Sequence, residues 1–199
     1  MREILIATGN KGKLLEMQEL LVGLPLRLVL PAELGITLEV EENGATYADN
    51  AALKALAYCR AAGMLALADD SGLEVDVLGG LPGIRSARFS EKPGASDADR
   101  RAYLLKRLQR FPRPWRAHFH CTVALAKPGT ELLFAEGDCP GEIIPVERGD
   151  NGFGYDPIFL LTELGLTMAE LDMQTKNRLS HRARAMLAAR PLLIDLIKA

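Results

Sequence analysis

Cysteine is scarce in this chain of 199 residues: Cys59, Cys121 and Cys139 are odd in number and far apart. They form neither a disulfide framework nor the paired spacing of a zinc site, and read as core or half-buried thiols. No apolar run approaches the length of a membrane span, and the amino terminus has neither a basic leader nor a small-residue cleavage site. A membrane partner is not expected, and a cytoplasmic location is. Charge of one sign is lacking as well, since 24 basic against 26 acidic side chains leave a formal −2. With the basic residues spread along the chain, a nucleic-acid polymer is not expected as a partner, while a small anionic ligand is allowed. What remains is 48% hydrophobic and 25% charged, long enough for one domain over residues 1–199 or two lobes sharing a core.

The chain is organised around Leu65 to Val77, LALADDSGLEVDV. An apolar run meets Asp69, Asp70, Ser71 and Gly72, then alternates so that Leu73, Val75 and Val77 face a core while Glu74 and Asp76 face out. Two adjacent carboxylates at the end of a buried run are costly without a partner. Carboxylate oxygens suit Mg²⁺ or Mn²⁺ rather than zinc, with Gly72 allowing a tight turn beside them. A solvated Asp-Asp-Ser-Gly hairpin turn would explain the same residues.

Other stretches carry chemistry of a compatible kind. A short strand, Glu3 to Ala7, runs into Thr8-Gly9-Asn10-Lys11-Gly12-Lys13 and then a helix with Leu14, Met17, Leu20 and Leu21 at helical spacing. Backbone N–H groups and two lysines there suit an anion, although the Walker A pattern is absent and a plain turn would serve. Leu26, Leu28 and Leu30 mark a second strand, and Glu39, Glu41 and Glu42 add negative charge before Asn43-Gly44. The capping box Thr46-x-x-Asp49 starts a helix that Gly63 ends, with Asn50 and Lys54 on one face. Lys54 stands among alanines and leucines, as a snorkelling surface lysine also would. Ser96 and Asp99 box a further helix, striped with Ala98, Ala102, Leu105 and Leu108, which reads as structural.

From Arg116 to Leu125 the sequence alternates as a strand, and Glu131 to Glu136 and Glu142 to Val146 read as two more, in an antiparallel region. His118 and His120 share a face of the first; without a third ligand at a usual spacing they read as a sheet-face pair rather than metal ligands. Arg148 to Phe159, RGDNGFGYDPIF, is a structured loop with an exposed aromatic pair, in which Phe153, between two glycines, can offer its ring to a planar ligand such as a base. Tucking of both rings into the core is the alternative. Ser180 is placed to cap a terminal helical region broken by Pro191, with His181 and Arg182 in its first turn, where cations are disfavoured and so need another partner. Lysines for phosphate, acids for a metal and an aromatic for a base together suit a metal-bound nucleoside polyphosphate.

The stretches TGNKGK (Thr8 to Lys13), ADDSGLEVDVLGGLPGIRSAR (Ala68 to Arg88), GFGYDPIF (Gly152 to Phe159) and LSHR (Leu179 to Arg182) resemble, in order and over nearly the whole chain, the inosine triphosphate pyrophosphatase or Ham1 family. The resemblance implies an α/β fold with a long mixed central sheet, flanking helices and two lobes around a substrate cleft, usually as a homodimer. It implies Mg²⁺-dependent hydrolysis of ITP, dITP and XTP to the monophosphate and pyrophosphate, clearing them from the nucleotide pool, with Mn²⁺ as a substitute metal. Carried onto this chain, it implies that Thr8, Gly9, Asn10, Lys11, Gly12 and Lys13 bind the triphosphate and Lys54 faces phosphate. Glu41 and Asp70 would hold the metal, with Asp70 also activating water. Ser71, Phe153, Gly154, Tyr155, Asp156, Lys176, His181 and Arg182 would surround the nucleotide. The choice of Glu41 over Glu42 rests on aligning Glu-Glu-x-Gly, and Asn151 and Ala183 stand where members often have glycine. A nucleotide-binding regulator without catalysis, or a Maf-type pyrophosphatase of modified pyrimidine nucleotides, is the alternative.

Overall fold

Capping chemistry sets where the helices begin. In this computed structural model, which describes residues 2–198, the side chains of Thr46 and Ser96 each accept from the backbone three residues on, and Asp49 and Asp99 return the bond. The strands are β1 Arg2–Ile6, β2 Leu26–Val29, β3 Ala66–Val75, β4 Trp115–Ala126, β5 Leu133–Ile143, β6 Phe159–Leu161 and β7 Leu166–Thr167. The helices are α1 Lys11–Leu20, α2 Tyr47–Ala62, α3 Asp97–Leu108, α4 Met173–Leu179 and α5 His181–Lys198. The sheet has the order β2-β1-β3-β4-β5-β6-β7, parallel where β1 meets β2 and β3, antiparallel from β5 through β7, and is therefore mixed.

Five expectations change. The acidic stretch is no turn: β3 runs straight through Asp69, Asp70, Ser71 and Gly72, because neighbouring strands supply the pairing that turn-prone residues would otherwise seek locally. Val77 leaves the alternation and lies exposed in a 3₁₀ turn over Asp76–Leu78. The two strands expected between Glu131 and Val146 are one, β5, continuous through Gly137 and Pro140. Pro191 sits inside α5 without ending it, although its ring nitrogen cannot donate to the Leu187 carbonyl four residues back. In α3 the buried positions are Leu104 and Leu108, whereas Ala98 and Ala102 face solvent.

Contacts divide the chain into two units. Of the described residues, 2–70, 121–137 and 181–198 form the first. There the alternation of β1 deals Ile4 and Ile6 to one sheet face, packed with Met17 of α1 and Met186 of α5, and Leu5 and Ala7 to the other, packed with Ala51 and Ala55 of α2. Residues 71–120 and 138–180 form the second, whose core gathers Leu73, Leu104, Leu108, Trp115, Phe119 and Phe159. Among the described residues no helix is long and apolar enough to cross a membrane.

Candidate active site

Asp69 and Asp70 are consecutive on β3 and so emerge on opposite faces of the sheet. Asp69 meets α1 and α5. Its Oδ2 accepts from Arg182 Nε at 3.2 Å and Nη2 at 3.1 Å, and Lys13 Nζ lies 3.1 Å away. Arg182 donates through Nη1 to Glu16, and all of Glu16, Asp69 and Arg182 are within 2% of complete burial. Two cations and two carboxylates thus balance in the interior. Burial opposes ionisation of Asp69, but the charges of Lys13 and Arg182 outweigh it and hold the group well below the usual carboxylate range. The nearby Cys121 thiol, 3.7 Å from Asp69 Oδ2, is pushed up by burial and by that carboxylate, so it stays protonated. Glu16 went unnoticed in the sequence because its partner lies 166 positions away.

Asp70 meets α2. Asn50 Nδ2 donates to Asp70 Oδ2 at 3.0 Å, while Asn50 Oδ1 accepts from Gly44 N at 2.8 Å and so fixes the amide orientation. Lys54 Nζ is 4.0 Å from Asp70 Oδ1 and 3.0 Å from Glu42 Oε1. Burial raises the Asp70 pKa, and the charges of Lys54 and Lys13 with the Asn50 hydrogen bond only partly offset it. Glu42, not Glu41, is the second carboxylate on this cluster: Glu41 is exposed and Glu42 half-buried against Lys54. Among the described residues no three His, Cys, Asp or Glu side chains form a ready-made cage. Asp70 and Glu42 both meet the Lys54 ammonium there.

The Thr8 to Lys13 turn lies at the head of α1 as expected, but its N–H groups are partly used. Asn10 is the N-cap, and its Oδ1 accepts from Gly12 N at 2.9 Å and Lys13 N at 3.1 Å. Thr8 Oγ1 takes the Asn10 N–H, Gly9 makes no contact that a side chain would disturb, and Lys11 is exposed. His181 is buried in the first turn of α5, which approaches β5 so closely that a Cβ on Gly137 would overlap the His181 carbonyl and the Ala185 nitrogen. Ala183, also buried there, packs without needing glycine.

A second cluster lies in the other unit. Phe153 is half-buried; its N–H donates to Asp156 Oδ2 at 2.9 Å, and Lys176 Nζ lies 5.0 Å from its ring centroid. Lys176 and Asp156, both buried, pair at 2.6 Å. Gly152, at φ +75°, has no room for a Cβ, which would strike Asp156 and Lys176. Tyr155 is not the exposed partner expected of it. Its ring is in the core, its hydroxyl donates to Ser86 O at 2.9 Å, and burial raises its pKa, so it anchors the loop. Asn151 ties the same loop to the Leu171 carbonyl at 3.0 Å. Ser71 begins this unit, half-buried on β3 directly after Asp70. On β4, His118 pairs with Glu74 at 3.3 Å and His120 with Asp138 at 2.7 Å, the sheet-face roles expected of them.

One unit thus sets half-buried lysines beside buried carboxylates, and the other a glycine-flanked aromatic 5.0 Å from a buried ammonium, in an α/β protein. The chain belongs to the Ham1 family, whose profile matches residues 4–192. It is 47% identical over 192 residues to a dITP/XTP pyrophosphatase of Desulforamulus reducens, covering 96% of this chain and 95% of the relative. A dITP/XTP pyrophosphatase of Geobacter sulfurreducens is 46% identical over 187 residues, 94% of either chain. Among solved structures, a HAM1 protein from Coxiella burnetii superposes with a TM-score of 0.89 at 39% identity, covering 98% of this chain and all of that one. The mixed sheet with flanking helices is the fold of that family.

Proposed function

We propose that this chain hydrolyses non-canonical purine nucleoside triphosphates, dITP, ITP and XTP, to the monophosphate and pyrophosphate. Family membership and the activity named for the relatives support the substrate class. The observation that carries the chemistry is the unlike setting of two adjacent carboxylates, Asp69 locked in an ion network with Arg182 and Lys13, and Asp70 held by Asn50 with Lys54 4.0 Å away.

In this reading Lys13 and Lys54 neutralise phosphate oxygens, with the Thr8 to Lys13 turn beneath them, and Ser71 touches the substrate. Asp70 orients or deprotonates the attacking water through a carboxylate oxygen. Arg182 acts indirectly, since its guanidinium is already committed to Asp69 and Glu16 and steadies Lys13 through Asp69. Phe153 stacks on the base, with Lys176 and Asp156 fixing the ring. Mg²⁺, or Mn²⁺ in its place, would be held by Asp70 and Glu42 and supply positive charge to the phosphates and the leaving pyrophosphate. Two carboxylates completed by substrate oxygens and water are the usual setting for Mg²⁺. The proposal includes a homodimer working in the cytoplasm on free nucleotides, as family resemblance suggests.

Product analysis tests it: purified protein is offered ITP, XTP, ATP and GTP with Mg²⁺ and again with chelator. Monophosphate and pyrophosphate from ITP and XTP, abolished by chelator, are expected. Tight binding without turnover would instead mark a regulator, and turnover confined to modified pyrimidine nucleotides a Maf-type enzyme.

A further inference from the structure

Gly154, the residue after Phe153, has both of its backbone polar groups taken by side chains of α3. Its N–H donates to Asp97 Oδ2 at 2.7 Å, and its carbonyl accepts from Arg101 Nη1 at 2.8 Å. Asp97 and Arg101 stand four residues apart and so share one face of the helix. Arg101 is held in turn, its Nε and Nη2 each donating at 2.8 Å to one oxygen of Glu147, and its side chain is 12% exposed. Gly154 itself is at φ +62°, a left-handed backbone that no local sequence preference enforces beyond glycine's freedom.

Phe153 is thereby fixed from both sides. Its own N–H is held by Asp156, and the peptide group that follows is clamped by α3. A ring on a loop with glycine on either flank would otherwise lose much conformational freedom on meeting a ligand, and a clamp removes that cost beforehand. We infer that Asp97 and Arg101 are positioning residues for base recognition, holding the Gly154 peptide so that the Phe153 ring is preorganised for the purine. This rests on the reading that Phe153 stacks on the base. Neither residue lies in the motifs that carry the family resemblance, and the helix that bears them reads from sequence as purely structural.

The test is a double-mutant cycle on ITP hydrolysis, with inorganic triphosphate as a base-free competitive inhibitor. Arg101→Ala should raise the KM for ITP about tenfold while kcat stays within about twofold, and Arg101→Lys should recover part of the loss. The inhibition constant of inorganic triphosphate should not move. In a Phe153→Ala background, Arg101→Ala should add little further loss. If Arg101→Ala lowers the melting temperature enough to unfold the protein under assay, the near-isosteric Asp97→Asn takes its place in the same cycle. Equal effects in both backgrounds, or an equal weakening of inorganic triphosphate, would mean that the clamp only stabilises the fold, and the inference falls. Should Phe153→Ala itself leave the KM for ITP unchanged, the stacking reading fails first and the clamp has no ring to position.

Discussion

Strand geometry sends adjacent side chains to opposite faces, and at Asp69 and Asp70 this assigns two identical carboxylates to unlike work. Asp69 is ionised, paired and buried; removing its charge would leave Arg182 and Lys13 short of a counter-ion in the interior. Asp69→Asn should therefore cost about 3–5 kcal/mol, a fall in melting temperature on the order of 10 °C. Asp70→Asn removes a charge that burial disfavours and keeps an oxygen for Asn50. Its melting temperature should hold or rise, while turnover falls by about 10² or more. Melts and rates on the two variants check this, and a stability loss at Asp70 equal to that at Asp69 would sink the division of labour. The neighbouring acids separate likewise. Glu42→Gln should raise the Mg²⁺ concentration needed for half-maximal rate by about tenfold, and Glu41→Gln should not, because Glu42 alone of the two meets Lys54 beside Asp70. Titration of activity with Mg²⁺ distinguishes them, and equal effects would return Glu41 to the site.

Helix ends were legible in the sequence because a capping box is a local event, closed within four residues, as at Thr46 and Ser96. Strand interiors were less so. The stretches around Asp69 to Gly72 and Gly137 to Gly141 carry turn-forming residues, and only pairing with distant strands keeps them extended. Site residues followed the same divide. Lys54 and Asp70 could be picked out from spacing and burial arguments, whereas Glu16, Asp97 and Arg101 act through partners 166, 57 and 53 positions away. At the start of α3, burial would raise Asp97, but the Gly154 N–H and Arg100 outweigh it and hold its pKa below the ordinary value of 3.8. A depressed folded pKa means stability that is complete above the unfolded pKa and is lost as pH falls through the folded one. The acid limb of a pH–stability curve should thus be shallower in Asp97→Asn than in the parent below about pH 4, by a small margin because solvent screens a partly exposed group. Parallel curves would show that Asp97 does not titrate with folding. At the start of α5, Gly137→Ala should cost about 1–3 kcal/mol, since a Cβ overlaps backbone atoms that cannot swing aside, and activity should fall with it as Arg182 shifts. A melt and a rate at one substrate concentration suffice, and a neutral result would mean that α5 can retreat from β5 freely.

The chain passes between its two units after residues 70, 120, 137 and 180, and the first three of these passages fall inside β3, β4 and β5. No contiguous fragment therefore consists of either unit alone, and unzipping one removes strand residues continuous with the other. Cooperativity should follow from that covalent arrangement, with one unfolding transition for the whole molecule. The sequence provides its own probe, because Trp115, the single tryptophan, is buried in the core of the second unit. Its fluorescence in a urea titration reports that unit, whereas far-UV circular dichroism reports helices of both. The two transitions should coincide in the parent protein. Asp69→Asn, which strikes the ion network of the first unit, should then move the Trp115 midpoint as far as the circular dichroism midpoint. If Trp115 kept its midpoint while the dichroism shifted, the units would be unfolding independently, and the strands running through both would be acting as linkers rather than as one sheet.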